Sequence, residues 1–298
     1  MKLVSYNDGH LGLLVDDDHL VDLSDLAAQP PGAWPPTGMV DLIGRFDHLR
    51  GLIGDRAKAG SRIPLSGVRL ECPIAWPNKV VAFPANYDAH ISEMKEGVIS
   101  KFRASGQGFF LKANSSLSGP QDPIVLPPIA GREIHHEAEL AIIIGRRGRS
   151  IPRDKALEHI FGYACLLDMV VRGQEERVMR KSFDTFCPLG PWLITADEVG
   201  ATDALELELT VNGERRQHAN TRDLIVDIPG MIEMASAVMT LYPGDIIASG
   251  TPAGVGPVQP GDRLQVSIER VGVMSVSVVQ GLDGCHGVWS KPAAQASA

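Results

Sequence analysis

Two glutamates in the stretch HHEAELAIIIG have a spacing suited to metal or acid–base chemistry. Glu137 and Glu139 lie two positions apart, and on a strand residues i and i+2 point to the same face. The apolar run 141–144 that follows predicts a strand entering the core, where a carboxylate is costly unless it is paired or bound to a cation. For two glutamates alone, a solvated strand end is the commoner arrangement.

A third acidic residue changes that balance. Asp168 lies in FGYACLLDMVV, the most apolar surroundings of any acidic residue in the chain, and aspartate is disfavoured inside strands. One interpretation is that the Asp168 carboxylate pairs with Arg172. The other is that Asp168 is the third ligand of a cation bound by the two glutamates. Three carboxylates together with water and substrate oxygens form an octahedral site for a hard cation, Mg²⁺ or Mn²⁺ rather than Zn²⁺.

Two further groups can take part in proton transfer or anion binding. His90 and Glu93 are spaced i, i+3, which brings them together on a helical turn, and the glutamate can orient the imidazole as a general base. An ordinary solvated helix with an incidental pair is the alternative. Lys181, in RKSFDTFCPLGP, is either half-buried and directed at an anion or a surface lysine.

A glycine-rich segment and a polar segment complete the candidate site. The stretch GDIIASGTPAGVG (244–256) follows a predicted strand, and its amides can form an anion-binding nest with the Thr251 hydroxyl, or simply a tight turn. The segment 88–106 is polar, contains Gly97, Gly106 and other small residues, and is typical of a lid that orders on binding.

The elements that must position these residues are mostly strands. Asn7-Asp8-Gly9 predicts a hairpin turn in a small α+β N-terminal domain, residues 1–70, followed by a β-rich catalytic domain, residues 71–298. The regular βαβ rhythm of a dinucleotide-binding fold is missing, so the fold class is α+β. Strands are predicted at 79–83, 137–144, 164–171, 191–195, 204–211, 246–249, 263–270 and 273–279, and helices at 38–50, 154–160 and 228–241.

Composition excludes several classes of function. The 298-residue chain has 36 acidic and 28 basic residues, a net charge of −8, and only 5% aromatic residues, which argues against nucleic-acid binding. We find no secretory signal and no apolar run approaching the roughly 18 residues of a membrane span. The cysteines, Cys72, Cys165, Cys187 and Cys285, are scattered without a C-x-x-C motif, which favours a reducing cytoplasm.

Taken together, the motifs resemble those of the fumarylacetoacetate hydrolase family. The E-x-E pattern with a distant Asp and the G-T-P-x-G-x-G motif are the most diagnostic features, and the matches occur in the family's order over most of residues 79–256. The matching stretches are KVVAFPANYDAH (79–90), FLKANSSLSGPQDPIVLP (110–127), EAELAIIIG (137–145), FGYACLLDMVVR (161–172), KSFDTFCPLGPWLIT (181–195), NGERRQHANTRDLI (212–225) and GDIIASGTPAGVG (244–256).

The resemblance implies a rolled, distorted β-barrel in the catalytic domain, a homodimer, and the roles of individual residues. Mg²⁺ or Mn²⁺ is expected on Glu137, Glu139 and Asp168. His90 and Glu93 match the dyad on the active-site lid of the hydrolytic members, and Lys181 is a third catalytic residue. The remaining expected substrate-binding residues are Tyr87, Arg172, Gln174 and Thr251.

This sequence departs from the family pattern just after Asp168. The usual D-V-S-A-R-D-x-Q becomes D-M-V-V-R-G-Q-E, so Gly173 replaces Asp and Glu175 replaces Gln. The expected activity is hydrolysis of a C–C bond in an acylpyruvate, fumarylpyruvate or maleylpyruvate. A decarboxylase, isomerase or hydratase of a 2-oxo dicarboxylic acid such as oxaloacetate is the first competing interpretation, and a non-catalytic binding protein is the second.

Overall fold

The computed structural model describes residues 1–93, 104–129, 131–282 and 289. The helices are α1 Gly38–Gly44, α2 Phe46–Ala59, α3 Asp88–Glu93, α4 Ala104–Gln107, α5 Arg177–Lys181, α6 Ala196–Val199 and α7 Ile228–Val238. The strands are β1 Lys2–Tyr6, β2 His10–Leu14, β3 His19–Asp22, β4 Arg62–Pro64, β5 Leu70–Glu71, β6 Val80–Ala82, β7 Phe110–Lys112, β8 Leu117–Ser118, β9 Ile124–Leu126, β10 Ile134–His136, β11 Ala138–Ile144, β12 Ile160–Leu167, β13 Val170–Val171, β14 Cys187–Thr195, β15 Glu206–Val211, β16 Glu214–Asn220, β17 Ile246–Ala248, β18 Gly256–Pro257, β19 Arg263–Ile268 and β20 Gly272–Gln280. Short 3-10 helices cover Ser24–Leu26, Leu65–Gly67, Asn114–Ser116, Arg153–His159 and Thr221–Asp223.

The N-terminal region begins with the predicted hairpin. β1 and β2 pair in antiparallel register, and the turn residues between them have positive φ, which Asn, Asp and Gly tolerate. The single helix predicted at 38–50 is wrong, because α1 ends at Gly44 and α2 continues to Ala59. Glycine is a poor helix former, and the Arg45 guanidinium at the junction donates to the Leu26 carbonyl at 2.5 Å.

A mixed twelve-stranded sheet supports the site. Its main path runs β4-β3-β2-β1-β14-β12-β11-β17-β6-β7, with β5 on β1 and β8 on β14. β1 pairs antiparallel with β14, so the N-terminal strands extend the sheet that carries the site, while the division at residue 70 stays a prediction. β11 is buried on both faces: Leu140, Ile142 and Ile144 enter one apolar core, whereas Ala141 and Ile143 enter another.

Two smaller sheets complete the β-rich architecture. The five-stranded sheet has the order β16-β15-β19-β20-β9, and the predicted turn Asn212-Gly213 joins β15 to β16 with positive φ at both residues. The three-stranded sheet is β13-β10-β18. The α+β, β-rich class is therefore confirmed, but the strand pairings in the described ranges form open paths rather than the closed ring of a barrel.

Several element boundaries differ from the sequence prediction. The predicted helix 154–160 is a 3-10 helix, Arg153–His159, and α7 ends at Val238 rather than at 241 because Met239 adopts an extended conformation. The strand predicted at 164–171 begins at Ile160 and is interrupted between Leu167 and Val170. The interruption contains Asp168, so this acid lies at a strand end. Within the described residues, no helix is long and apolar enough to cross a membrane.

Candidate active site

The three predicted acidic ligands converge at one end of the paired strands β11 and β12. Ala138 pairs with Leu167, which places Glu137 and Asp168 side by side, and the Asp168 amide donates to the Glu137 carbonyl at 2.8 Å. One oxygen from each of Glu137, Glu139 and Asp168 lies within 4.8 Å of the others. The residues are 7%, 1% and 1% exposed, so the solvated strand end considered for the glutamates is wrong.

Two buried lysines bind these carboxylates. The Lys181 ammonium contacts Glu137 Oε2 at 2.6 Å and Asp168 Oδ2 at 2.5 Å, which makes Lys181 an anion-directed residue rather than a surface lysine. Lys112 binds the other oxygen of Asp168 and also donates to the carbonyls of Lys181, at 2.6 Å, and Phe186, at 3.2 Å. Asp168 is therefore paired with two lysines instead of Arg172.

The buried charges shift the pKa values of Glu137 and Glu139 in opposite directions. Burial raises the pKa of Glu139, and the charges of Asp168 and Glu137 raise it further. Burial acts in the same direction on Glu137, but the charges of Lys181 and Arg172 outweigh it and lower the pKa of Glu137. The group contains three carboxylates and two ammonium ions, so a divalent cation would bring it from an excess of negative charge to an excess of positive charge.

The glycine-rich loop binds two carboxylates of the protein itself. The Gly250 amide donates to Glu139 Oε2 at 2.7 Å, and the Gly254 amide donates to Glu93 Oε1 at 2.8 Å. Both glycines have positive φ, near +89° and +93°. A Cβ at 250 would lie 2.8 Å from the Phe83 carbonyl oxygen, and a Cβ at 254 would lie 1.9 Å from that of Arg216. The anions bound by the predicted nest are thus Glu139 and Glu93.

The His90–Glu93 pair lies on α3, as its spacing predicts. His90 Nδ1 is 3.5 Å from Glu93 Oε2. His90 is only 7% exposed and lines the same cavity as Glu137, Glu139 and Asp168, which we call the acid trio. Glu93 is bound on its other oxygen by the loop amide, which fixes the pair relative to the sheet. Of the predicted lid, 88–106, residues 94–103 lie outside the described residues.

The four predicted substrate-binding residues have different environments. Arg172, Gln174 and Thr251 line the cavity, whose volume is about 640 Å³. The Arg172 Nε donates to His135 Nδ1 at 2.9 Å. Thr251 donates to the Ala138 carbonyl at 3.0 Å and accepts from a glutamine amide at 2.8 Å, so its hydroxyl is engaged within the protein.

Tyr87 differs from the other predicted binding residues. It is 2% exposed, and its hydroxyl has no hydrogen-bond partner among the described residues. Burial raises the pKa of Tyr87, and the charge of Glu139 raises it further, so the hydroxyl stays protonated close to the acid trio. A buried hydroxyl without a partner is costly, which fits a neighbouring group that is absent from the protein chain.

The residues that depart from the family pattern form an ion pair beside the cavity. Glu175 binds Arg132 through two contacts, at 2.8 and 3.2 Å. A Cβ at Gly173 would lie 2.2 Å from both Arg132 Nη1 and Glu175 Oε2. The two replacements therefore belong together, because Glu175 introduces the pair and Gly173 leaves space for it.

The donor set fits a divalent cation of the Mg²⁺ or Mn²⁺ class. Glu137, Glu139 and Asp168 offer only carboxylate oxygens, are buried together, and keep lone pairs besides those that accept from the lysines and Gly250. The Tyr87 hydroxyl, which has no hydrogen-bond partner in the described part of the chain, agrees with this fit. The protein therefore contains a buried acidic triad able to bind a metal ion.

Sequence reasoning missed two buried polar residues of the site. Lys112 is 4% exposed and contacts Asp168, which is 56 positions away in the chain. Gln217 accepts from the Ala138 amide at 3.0 Å and donates to Thr251 at 2.8 Å. Both lie within stretches that match the family, but neither has a local signal, since their partners come from distant strands.

Comparisons with known proteins agree with this geometry. The profile of the fumarylacetoacetate (FAA) hydrolase C-terminal family matches residues 79–279. A maleylpyruvate hydrolase of Aquipseudomonas alcaligenes is 44% identical over 286 residues, covering 93% of this chain and 99% of that protein. The crystal structure of maleylpyruvate hydrolase from Sphingobium sp. SYK-6 is 53% identical, with a TM-score of 0.86 over 94% of this chain and 100% of that one. A second structure of that enzyme, 52% identical with a TM-score of 0.86 over 95% of this chain and 100% of that one, is a complex with manganese(II) and pyruvate.

Proposed function

This chain belongs to the fumarylacetoacetate hydrolase family, and on that premise we propose that it hydrolyses a C–C bond of an acylpyruvate of the maleylpyruvate or fumarylpyruvate type. The products are pyruvate, or a related keto acid, and a carboxylic acid. The observation that carries the proposal is the buried trio of Glu137, Glu139 and Asp168 in one cavity with Lys181 and the base His90. The similarity to two maleylpyruvate hydrolases supports the same substrate class.

The acid trio is proposed to hold Mg²⁺ or Mn²⁺, which when bound supplies a Lewis acid for the substrate's oxygens. Lys181 lies against the same carboxylates and places a positive charge where the enolate of the departing pyruvate develops. Burial lowers the pKa of Lys181, but the charges of Asp168 and Glu137 outweigh burial and raise it, so its ammonium form persists at neutral pH.

His90 is proposed to remove a proton from the attacking water. Glu93 holds the imidazole by its Nδ1 side and is itself fixed by the Gly254 amide, which leaves Nε2 for the water. The water oxygen forms a bond with the distal carbonyl carbon, and the C–C bond breaks with its electron pair moving into the pyruvate enolate. The proton taken by His90 balances protonation of that enolate.

The substrate's remaining oxygens are proposed to contact Arg172, Gln174, Thr251 and Tyr87. Arg172 and Gln174 line the same cavity as the acid trio and the α5 residues Arg177, Arg180 and Lys181. Thr251 donates to the Ala138 carbonyl and accepts from Gln217, so it positions the loop and would donate to the substrate only after releasing Ala138.

A purified-enzyme assay tests the proposed function. The protein is incubated with Mg²⁺ or Mn²⁺ and with acetylpyruvate, maleylpyruvate, fumarylpyruvate or oxaloacetate, and the products are quantified. Equal amounts of pyruvate and the complementary acid are expected from an acylpyruvate. Release of CO₂ from oxaloacetate without acylpyruvate hydrolysis would move the assignment to a decarboxylase, and isomerisation or hydration alone would move it to an isomerase or a hydratase.

A variant separates catalysis from metal binding in this assay. His90→Ala is expected to abolish hydrolysis and to retain Mn²⁺ affinity, because His90 is outside the acid trio. Unchanged hydrolysis in this variant would remove the dyad from the mechanism.

We further propose that the enzyme is a cytoplasmic homodimer acting in aromatic catabolism. Cys72, Cys165 and Cys187 are buried free thiols, and burial raises the pKa of Cys165 and Cys187 to about 12, as suits a reducing compartment. Cys285 lies outside the described residues. Sedimentation of the purified chain at a monomer mass would contradict the dimer.

A further inference from the structure

The cavity contains two arginines that the proposed mechanism does not use. We propose that Arg177 and Arg180 bind a second carboxylate of the substrate, so that the enzyme selects acylpyruvates whose acyl group is itself an acid. This inference rests on the proposed acylpyruvate hydrolysis and assigns the residues that determine specificity for diacids at the same site.

The two arginines face the cavity from one side of α5. Arg177, Arg180 and Lys181 are spaced i, i+3 and i+4, which places them on one helical face, and all three line the cavity. The intervening Val178 and Met179 are 46% and 44% exposed and lie on the opposite face. The helix therefore presents three cations to the same space.

Phe110 lies near two of these cations. The Arg177 guanidinium lies 5.2 Å from the centre of the Phe110 ring, and Lys181 Nζ lies 5.7 Å from it. Lys181 extends to the acid trio, whereas Arg177 donates to Gln107 Oε1 at 3.2 Å. Along a helix, residues four apart are separated by about 6 Å. The cavity thus has an acid end, formed by Glu137, Glu139 and Asp168, and an arginine end, formed by Arg177 and Arg180.

Arg180 is held in place by neutral acceptors. Its Nε donates to the Glu175 carbonyl at 2.7 Å and its Nη1 to the Val171 carbonyl at 3.3 Å. The Glu175 carboxylate itself binds Arg132. In the described part of the chain no carboxylate lies within ion-pair distance of Arg180, so its position is fixed while its charge remains available to a ligand.

The repulsion between the arginines favours a bound anion. Burial lowers the pKa of both Arg177 and Arg180, and the Arg177 charge further lowers the pKa of Arg180. Guanidinium groups bind carboxylates through two parallel hydrogen bonds, which would offset both the burial and the repulsion. A maleylpyruvate-type dianion would place its 2-oxo acid group at the acid end and its second carboxylate at the arginine end. Acetylpyruvate has no second carboxylate that could bind at the arginine end.

The test compares substrates that differ in the second carboxylate. Wild type, Arg177→Gln and Arg180→Gln are assayed with Mn²⁺ on maleylpyruvate and acetylpyruvate. The ratio of kcat/KM for the diacid over the monoacid is expected to fall about 10- to 100-fold in each variant, mainly through KM. Arg215→Gln, which alters an arginine that is 63% exposed on β16, is the matched control and should keep the wild-type ratio.

A binding measurement distinguishes failure of this inference from failure of the proposed function. Calorimetry on the Mn²⁺-loaded protein compares 2-oxoadipate with 2-oxohexanoate, which have equal chain length and differ in the terminal carboxylate. Wild type should bind the diacid at least about 10-fold more tightly, and both arginine variants should lose that preference. An unchanged preference in folded variants would overturn the arginine assignment, even if hydrolysis is observed. A protein that shows the preference but hydrolyses no acylpyruvate would contradict the proposed function alone.

Discussion

The two ends of the cavity are built in different ways. The acid end lies on the central sheet, its carboxylates are at most 7% exposed, and the Gly250 amide and two lysines bind their oxygens. The arginine end lies on the five-residue helix α5, is half-buried, and is held by backbone carbonyls and the Gln107 side chain. In the proposed mechanism, metal-assisted chemistry depends on the acid end on the sheet, whereas the proposed choice of substrate depends on the end that a short helix carries.

The largest expected effect comes from removing a charge at the acid end. Asp168→Asn should lower kcat/KM by at least about 1000-fold, because it removes a proposed metal ligand and leaves Lys112 and Lys181 beside a neutral amide. Rates and Mn²⁺ binding are measured together. Asp154→Asn, at an exposed position of a 3-10 helix, is the control. Full activity in Asp168→Asn would show that the acid end is structural.

A smaller effect is expected from Lys112, which positions Asp168 without lining the cavity. Lys112→Met should lower the free energy of unfolding by about 3–5 kcal/mol, because a buried ion pair loses one partner. Mn²⁺ affinity should fall about 10- to 100-fold, as for other groups that orient metal ligands. Urea denaturation and metal titration measure the two quantities.

The control for this prediction is Lys155→Met, which alters a lysine that is 56% exposed and pairs with Glu158. If Lys112→Met matched this control in both stability and metal affinity, the rigidity of the acid end would not depend on Lys112.

The smallest of these effects concerns the loop that links the acid end to the base. Gly254→Ala places a Cβ 1.9 Å from the Arg216 carbonyl oxygen, so the loop must move and the amide contact to Glu93 is lost. Hydrolysis should slow by roughly 10-fold through poorer orientation of His90. Mn²⁺ affinity should be retained, because Glu139 is bound by Gly250 instead.

Gly261→Ala is the control that distinguishes the clash at position 254 from backbone strain alone. Gly261 has φ near +96° but open space where a Cβ would lie. Equal losses of activity in both alanine variants would attribute the effect to backbone strain and not to the contact with Glu93.

The acid end was predictable from sequence to a greater extent than the arginine end. Glu137, Glu139 and Asp168 are conspicuous because carboxylates rarely occur beside such apolar runs, and the structure brings all three together. Lys112 has no comparable signal, since its burial depends on Asp168 and on two carbonyls from a distant segment. The E-E-R-V-M-R-K stretch looks like a solvated charged helix until the fold turns one face of it towards the cavity.

The same kind of long-range contact limited how accurately the element boundaries could be predicted from the sequence. β12 ends before Asp168 because the backbone amides of Asp168 and Met169 donate hydrogen bonds to the carbonyls of Glu137 and Phe186. Local propensity does not encode these long-range hydrogen bonds. In contrast, the hairpin turns at Asn7-Asp8-Gly9 and Asn212-Gly213 depend on residues that tolerate positive φ, and the sequence predicts both.

Hydrolysis in water labelled with ¹⁸O tests the central claim of C–C bond hydrolysis most directly. The Mn²⁺-loaded enzyme is given maleylpyruvate, and the products are analysed by mass spectrometry. Attack of water at the distal carbonyl predicts pyruvate and maleate in equal amounts, with ¹⁸O in one maleate carboxylate. Maleate without the label, or consumption of maleylpyruvate without release of maleate, would contradict the account.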